Sequence, residues 1–184
     1  MRKINLHHYT YRLASRLLEV SAYQQKNEGK QGVVGIRETN NQEAEMLGKT
    51  VSEIKVGDSA EFSKTISEAD IYLFAGVTGD LNPFHVNEEY AKKTFFKGRI
   101  AHGMLLAGFI SNVIGCHLPG PGTIYVKQDL VFLAPARIGD TITAKVNVIQ
   151  VLEDENRVIL KTICINQNGV LVLDGQATVS PGKG

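Results

Sequence analysis

The stretch that most restricts how this chain can fold is the apolar segment over residues 101–115. Its side chains are apolar on nearly every helical face, with Ser111 and Asn112 as the main interruptions. A helix that is hydrophobic all round is buried, so the segment predicts a helix enclosed by other elements rather than one lying on a surface. The uninterrupted run is too short for the roughly 17–25 apolar residues that cross a bilayer. The rest of the domain must therefore wrap around this helix.

Segments with strand character follow the turn Pro119-Gly120-Pro121-Gly122. They cover residues 123–133, 141–152, 157–166 and 170–179. Polar and apolar residues alternate through Thr141-Ile142-Thr143-Ala144, which is typical of a sheet with one buried face. Asp154-Glu155-Asn156 and Asn168-Gly169 separate successive strands as hairpin turns, so these strands should be antiparallel. The sequence predicts an α+β fold, with a curved antiparallel β-sheet wrapped around a central apolar helix.

The chain before the apolar helix predicts one more strand and two more helices. Residues 60–66 have the composition of a strand, and Ser67 is a good N-cap for a helix that ends at Gly79. Asn87 can cap a short helix that runs through Lys93. A single sheet of this kind leaves an edge strand and an open mouth, so pairing into a homodimer is physically reasonable.

Residues 1–45 differ in composition from the remainder and predict an N-terminal extension and linker. Residues 1–18 contain four Lys and Arg side chains and no acidic one, with apolar residues at helical spacing. Such a basic amphipathic helix is typical of a mitochondrial targeting segment or of an accessory helix. We expect a cytoplasmic protein, with the mitochondrial matrix as the alternative. The folded domain is expected over residues 46–184.

Composition restricts the partners. The 184 residues suit one domain, and 20 Lys and Arg against 19 Asp and Glu leave a formal charge of +1. No overall electrostatic field therefore favours nucleic acid or an acidic membrane as partner. Cys116 and Cys164 lie in apolar segments without zinc-site spacing, which predicts reduced core thiols rather than a disulfide.

The candidate chemistry begins at Asp80 and His85, a carboxylate and an imidazole on either side of Asn82-Pro83. Such a turn can aim both side chains into one space. Gly103, at the start of the apolar helix, leaves a backbone N–H exposed there. A water-activating pair facing this N–H suits the addition of water to a polarised double bond, or its elimination. The alternative is structural, because Asp, Asn and Pro are common turn residues.

Further motifs follow this pair along the chain. They are Ala91, Phe96, Ile100, His102-Gly103-Met104, the segment from Leu118 to Tyr125, and Pro135-Ala136-Arg137-Ile138-Gly139-Asp140. Together with Asp80-x-Asn82-Pro83-x-His85, and in this order, they resemble the signature of the MaoC-like, (R)-specific enoyl-CoA hydratase family. The resemblance covers about residues 47–180.

The resemblance implies a hot-dog fold and a homodimer that hydrates trans-2-enoyl-CoA to (R)-3-hydroxyacyl-CoA, or catalyses the reverse dehydration, in fatty acid metabolism. It implies that His85 is the base and that Asp80 holds the water or orients the imidazole. The N–H of Gly103 would then receive the charge that develops on the thioester oxygen. Two points stay open: which of Asp80 and His85 protonates C2, and in which direction the pKa of His85 is shifted, because the carboxylate raises it and burial lowers it.

The resemblance also assigns substrate-binding positions to Asn82, His102, Met104 and Gly108, among which His102 is expected to act structurally. Many relatives have a Ser-type residue where this chain has Gly108. A metal site built from Asp80, His85 and His102 is the alternative, but their spacing lacks the regularity of metal sites, so no metal and no cofactor are expected.

Two other functions remain alternatives, a hot-dog acyl-CoA thioesterase and a non-catalytic acyl-CoA-binding module. The expected partner is an acyl-CoA thioester, with acyl carrier protein as the other possible carrier of the acyl group. The sequence leaves the acyl chain length and the pathway open.

Overall fold

The computed structural model describes residues 47–183. The four helices of this part are α1 Glu68–Thr78, α2 Pro83–Val86, α3 Glu88–Ala91 and α4 Gly103–Cys116. The strands are β1 Ser59–Thr65, β2 Ile124–Phe132, β3 Thr141–Leu152, β4 Arg157–Ile165 and β5 Leu171–Ser180, and short 3-10 turns lie at Val51–Glu53 and Glu153–Glu155. The N-terminal extension predicted over residues 1–45 lies outside the described residues.

The five strands form one sheet in the order β1-β3-β4-β5-β2, and every neighbouring pair is antiparallel. The connections from β3 to β4 and from β4 to β5 are the two hairpins predicted from the sequence. Asn156 in the first and Gly169 in the second adopt the left-handed backbone conformation that Asn and Gly tolerate best. β1 and β2 are the edge strands.

Helix α4 packs against the inner face of this sheet. Alternate residues of β3, among them Ile142, Ala144 and Val146, are fully buried against it, as are Ile110 and Val113 of the helix. This confirms the predicted hot-dog arrangement. Burial of apolar surface is the main force that holds the helix in place.

The sheet encloses α4 as predicted on its buried face but leaves one stripe of the helix exposed. Met104, Gly108 and Ser111 form an exposed stripe along the helix, at the spacing of one helical face. The sheet curls around the opposite face, where Leu106, Phe109 and Ile110 are buried. One five-stranded sheet is too narrow to cover a whole helix.

The ends of α1 are those that the sequence predicts. Ser67 is the N-cap, and its hydroxyl accepts a hydrogen bond from the Asp70 N–H. Lys64 of β1 donates to the Asp70 carboxylate, which lowers the pKa of Asp70 to about 2 and ties the strand to the helix. Gly79 ends α1 in the left-handed conformation, with φ of 75°.

Helix α2 was not predicted. Asn82 caps it by accepting the Phe84 N–H, and Pro83 occupies its first position, where a missing N–H costs nothing. The Asn-Pro sequence is therefore the start of a one-turn helix rather than a simple turn.

Over residues 47–183, no helix combines the length and the apolarity that a bilayer crossing requires. Both cysteines are free thiols, and burial raises the pKa of Cys164 to about 12. Cys116 is exposed at the end of α4 instead of lying in the core as expected.

Candidate active site

Asp80 follows directly after the end of α1. Its backbone N–H donates to the Thr78 hydroxyl at 3.2 Å, and its Oδ1 accepts the Asn82 N–H, also at 3.2 Å. The carboxylate is exposed, and within residues 47–183 its second oxygen accepts no hydrogen bond. These local bonds set the direction in which the side chain leaves the backbone.

His85 lies on α2 and is oriented by a main-chain carbonyl. Its Nδ1 is 2.9 Å from the carbonyl oxygen of Ile100. A carbonyl only accepts, so Nδ1 must carry the proton and Nε2 must present its lone pair. The Ile100 N–H donates back to the Phe84 carbonyl at 3.1 Å, which joins the two segments on both sides. The imidazole is thereby held in the tautomer that a general base requires.

His102 is buried behind His85. The two rings stack with their centroids 3.8 Å apart and their planes 31° from parallel, and Phe74 lies near the His102 ring with a centroid separation of 4.9 Å. The Nε2 of His102 donates to the Asp80 carbonyl at 3.0 Å, while its Nδ1 has no hydrogen-bond partner among residues 47–183. His102 therefore contacts both members of the predicted pair.

The pKa of His85 is lowered from its ordinary value of 6.5. Burial is the largest cause, because it disfavours the charged imidazolium. The Ile100 carbonyl opposes this shift, His102 adds to it, and Asp80 opposes it. The direction that the sequence left open is therefore downward, and the imidazole stays neutral at neutral pH.

Gly103 is the first residue of α4, immediately after His102. Amides in the first turn of a helix have no intrahelical carbonyl partner, and the helix dipole makes this end positive. A Cβ at this position would lie 2.6 Å from Cε1 of Phe132. A larger residue here would have to displace the Phe132 ring, because that ring packs directly on the backbone.

A cavity of about 470 Å³ opens beside these groups. His85 and Gly103 both line it, and the rest of its wall is almost entirely apolar. The other lining residues are Phe95, Phe96, Ile100, Ala101, Met104, Leu106, Phe132, Leu133, Ala134, Pro135, Ala136 and Val172. An apolar cavity with two polar groups converging at one point suits an acyl chain with a single reactive end.

The structure places ligand atoms of Asp80 and His85 within 4.8 Å of each other, and His85, Gly103 and Met104 line the cavity while Asp80 does not. The other predicted substrate-binding residues do not line it. Asn82 caps α2, His102 lies behind His85, and Gly108 is exposed on α4, one turn beyond Met104.

Sequence reasoning missed most of the aromatic wall. Phe95 and Phe132 were not singled out, and only Phe96 belonged to a motif. The adjacent pair Phe95-Phe96 was a usable signal, since two neighbouring aromatics in a polar segment are often part of a binding surface. Phe132 lay near the end of a predicted strand, and no neighbouring aromatic residue indicated a role in binding.

Asp80, His85 and His102 each bring one ligand atom within 4.8 Å of the others, the one cluster of this kind in the described part of the chain. Two imidazoles that share a metal ion point their ring edges at it, with nitrogens about 2.0–2.1 Å from the ion. Here the rings lie face to face, and each has one nitrogen bonded to a backbone carbonyl. This geometry favours acid–base chemistry over metal binding.

Comparison with known proteins gives the family. The family model described as "MaoC like domain" matches residues 50–166, which is more than half of the chain. The chain belongs to the MaoC-like domain family. The matched residues include the predicted catalytic positions and the strands β1, β2, β3 and β4 in full.

Individual relatives agree with this assignment. An (R)-specific enoyl-CoA hydratase of Rhodospirillum rubrum is 57% identical over 133 residues, which are 72% of this chain and 92% of the relative. A mitochondrial 3-hydroxyacyl-[acyl-carrier-protein] dehydratase of Arabidopsis thaliana is 40% identical over 68% of this chain and 76% of its own. The structure of the R-hydratase PhaJ1 from Pseudomonas aeruginosa superposes with a TM-score of 0.71 at 42% identity, covering 76% of this chain and 89% of that one.

Proposed function

We propose that the protein is an (R)-specific enoyl-CoA hydratase, a hydro-lyase that adds water to trans-2-enoyl-CoA to give (R)-3-hydroxyacyl-CoA and catalyses the reverse dehydration. The observation that carries this proposal is the meeting of two groups on one apolar cavity. One is His85, whose Nε2 presents a lone pair, and the other is the helix-start amide of Gly103. The relative from Rhodospirillum rubrum bears the same name.

The proposed reaction involves His85, Asp80 and the N–H of Gly103. Nε2 of His85 removes a proton from water as its oxygen bonds to C3, and Asp80 holds that water. Electrons move through the double bond to the thioester oxygen, which accepts a hydrogen bond from the Gly103 N–H. The proton that His85 has taken is then delivered to C2 of the enolate, either directly by His85 or through Asp80. One water molecule is thereby added overall, and both groups return to their starting protonation states.

The test separates hydration from thioester hydrolysis. Purified protein is mixed with crotonyl-CoA, and the enoyl absorbance and free thiol are followed together. We expect the absorbance to fall without thiol release, and the product to be the (R)-3-hydroxy isomer by chiral chromatography. Release of thiol in step with the absorbance would support a thioesterase, and no change in either signal would support a non-catalytic binding module.

We propose coenzyme A as the carrier and acyl carrier protein as the second candidate. Support for coenzyme A comes from the relative that is 57% identical, while the Arabidopsis thaliana relative has acyl carrier protein in its name. Comparing kcat/KM for one enoyl group on each carrier decides between them. The same series with increasing acyl length would measure how much chain the cavity accepts.

We propose that the protein is a homodimer. The exposed stripe of Met104, Gly108 and Ser111 on α4 and the apolar edge strand β2 supply a surface that a second copy can cover. Exposed apolar residues of β2 are Ile124, Tyr125, Val126, Val131 and Phe132. Sedimentation should give twice the 20.1 kDa chain mass. Val131→Lys should shift the mass to that of one chain, whereas Val77→Lys, on exposed α1, should not.

The compartment stays a prediction from residues 1–45. We propose the cytoplasm, with the mitochondrial matrix as the alternative. A fluorescent protein that carries residues 1–45 at its N-terminus tests it, because import into mitochondria would overturn the cytoplasmic assignment.

A further inference from the structure

The segment of residues 95–100, called the 95–100 loop below, supplies two parts of the site. Phe95, Phe96 and Ile100 line the cavity, and the Ile100 carbonyl accepts a hydrogen bond from the Nδ1–H of His85. The loop lies between α3 and α4 and contains no helix or strand. Lys97 within it has a φ of 58°, which is uncommon for a residue with a side chain. A loop of this kind keeps its path only if its surroundings hold it.

Arg137 is the residue that reaches into this loop. It follows β2 in the Pro135–Asp140 motif, is half-buried, and donates from its guanidinium to the carbonyls of Phe96 and Arg99. Its own backbone N–H donates to Asp140 Oδ2 at 2.8 Å, which fixes the base of the side chain. The neighbouring Ala136 carbonyl accepts the N–H of Ala101, directly after the loop.

The guanidinium of Arg137 forms no salt bridge with a carboxylate among residues 47–183. Both of its side-chain bonds go to loop carbonyls three residues apart in sequence. A planar fork of donors can reach two carbonyls at once, which the single ammonium of lysine does poorly. A Cβ at Gly98 would lie 3.5 Å from the Arg137 guanidinium, so the loop backbone packs on it.

We propose that Arg137 is a positioning residue for the hydration reaction, holding the 95–100 loop so that the Ile100 carbonyl fixes the tautomer of His85 and Phe96 closes the cavity wall. The role in catalysis rests on the proposed function, whereas the role in fixing the tautomer does not. The loop is also held at Arg99, whose side chain pairs with Glu68 and Glu88. The loop is thus held by Arg137 through two of its carbonyls and by these acids through the Arg99 side chain.

The charged and titratable groups around these residues set the expected pH effect. His85 is faced by Asp80 and His102, and Arg137 is near Arg99 and Asp140. The hydrogen bond from His85 to Ile100 raises the pKa of the imidazole and partly offsets burial. Loosening the loop removes this contribution and also lets water reach the ring, and these two changes act on the pKa of His85 in opposite directions. A lower kcat is therefore the main kinetic result expected, and a shift of the acid limb in either direction would report a changed environment of His85.

The experiment compares Arg137→Met and Arg137→Lys with Arg157→Met as the matched control. Arg157 also donates to two main-chain carbonyls, those of Glu155 and Asn156, but these residues do not line the cavity, whereas Phe96 of the 95–100 loop does. We expect kcat for crotonyl-CoA to fall about 10- to 100-fold in Arg137→Met and less in Arg137→Lys, the size expected for a small displacement of a catalytic group. The control should stay within about twofold, as for a group remote from the chemistry.

Nitrogen-15 NMR of the histidines gives a readout that needs no activity. In the wild type, His85 should show one tautomer with the proton on Nδ1, whereas Arg137→Met should show a mixture of tautomers and Arg137→Lys a smaller fraction of the second tautomer. If both Arg137 variants keep a single tautomer and an unmoved acid limb, with only a lower melting temperature, the residue is structural and the proposal fails. If the wild type hydrates no enoyl-CoA but the tautomer mixture appears, the proposed function fails and the positioning role stands.

Discussion

The contact between Gly103 and Phe132 makes Gly103→Ala an informative change. The added Cβ would lie 2.6 Å from Cε1 and 2.8 Å from Cδ1 of the ring. Carbon atoms in favourable contact are about 3.5–4.0 Å apart, so the ring or the start of α4 must move by about 1 Å. The backbone of Gly103 is not left-handed, so alanine adds no strain of its own.

The cost can be estimated from this overlap. Forcing an extra methyl into a packed site costs about 1–3 kcal/mol. If the transition state bears that cost through a displaced N–H or cavity wall, kcat/KM should fall about 5- to 150-fold, at 1.36 kcal/mol for each factor of ten. Because Phe132 is about half exposed at 52%, part of the strain can be relieved by rotation of the ring, which favours the lower end of the range.

The assay is a double-mutant cycle on crotonyl-CoA hydration, with melting temperatures measured alongside. Phe132→Leu removes the ring atoms that meet the new methyl, so Gly103→Ala with Phe132→Leu should recover most of the activity lost by Gly103→Ala alone. Gly115→Ala is the control, because a Cβ at this position of α4 has no atom within 4 Å. It should be neutral or slightly stabilising.

Two results would refute this reasoning. One is a double variant as slow as Gly103→Ala, since the ring would then not be the obstacle. The other is a fully active and stable Gly103→Ala, which would mean that the close packing positions nothing needed for the reaction.

Four further predictions concern the catalytic pair and the metal-site alternative. Asp80→Asn and His85→Gln should each lower kcat by several orders of magnitude, and the double variant should be little slower than either, because the two act on one water; losses that multiply would argue against a shared role. The acid limb of kcat/KM should lie below about pH 6.5, since burial lowers the pKa of His85 and only the neutral base is active. Asp80→Asn should lower it further in any residual activity, because the carboxylate raises that pKa. Dialysis against a chelator should leave hydration unchanged, and a loss restored by zinc would revive the metal-site alternative.

The elements that could be predicted from the sequence are those with a long local pattern. β3 was predicted over its observed range, and the other strands after α4 to within about one residue at each end, because alternation and turn residues extend over many positions. Helix α2 was not predicted, because four residues show no helical periodicity and its Asn-Pro start equally suits a turn.

In the candidate site, motifs in the sequence identified Asp80, His85 and Gly103. The surroundings of these residues could not be predicted from motifs. The hydrogen bond from His85 Nδ1 to the Ile100 carbonyl joins a side chain to the main chain 15 residues away, and the residue types give no indication of it. The sign of the His85 pKa shift depends on how deeply the ring is buried, and that is a property of the folded chain. The exposed stripe on α4 likewise follows from the width of the sheet.

Both imidazoles are oriented by the main chain, His85 by the Ile100 carbonyl and His102 by the Asp80 carbonyl. Copying only the reactive side chains into another scaffold would therefore transfer the residues without their alignment. A minimal graft must include the backbone path of residues 79–103, together with Arg137, which binds two carbonyls of that segment. Conversely, side-chain replacements at Ile100 leave its carbonyl in place, so this position is a site where the pocket can be reshaped without disturbing the proton on His85.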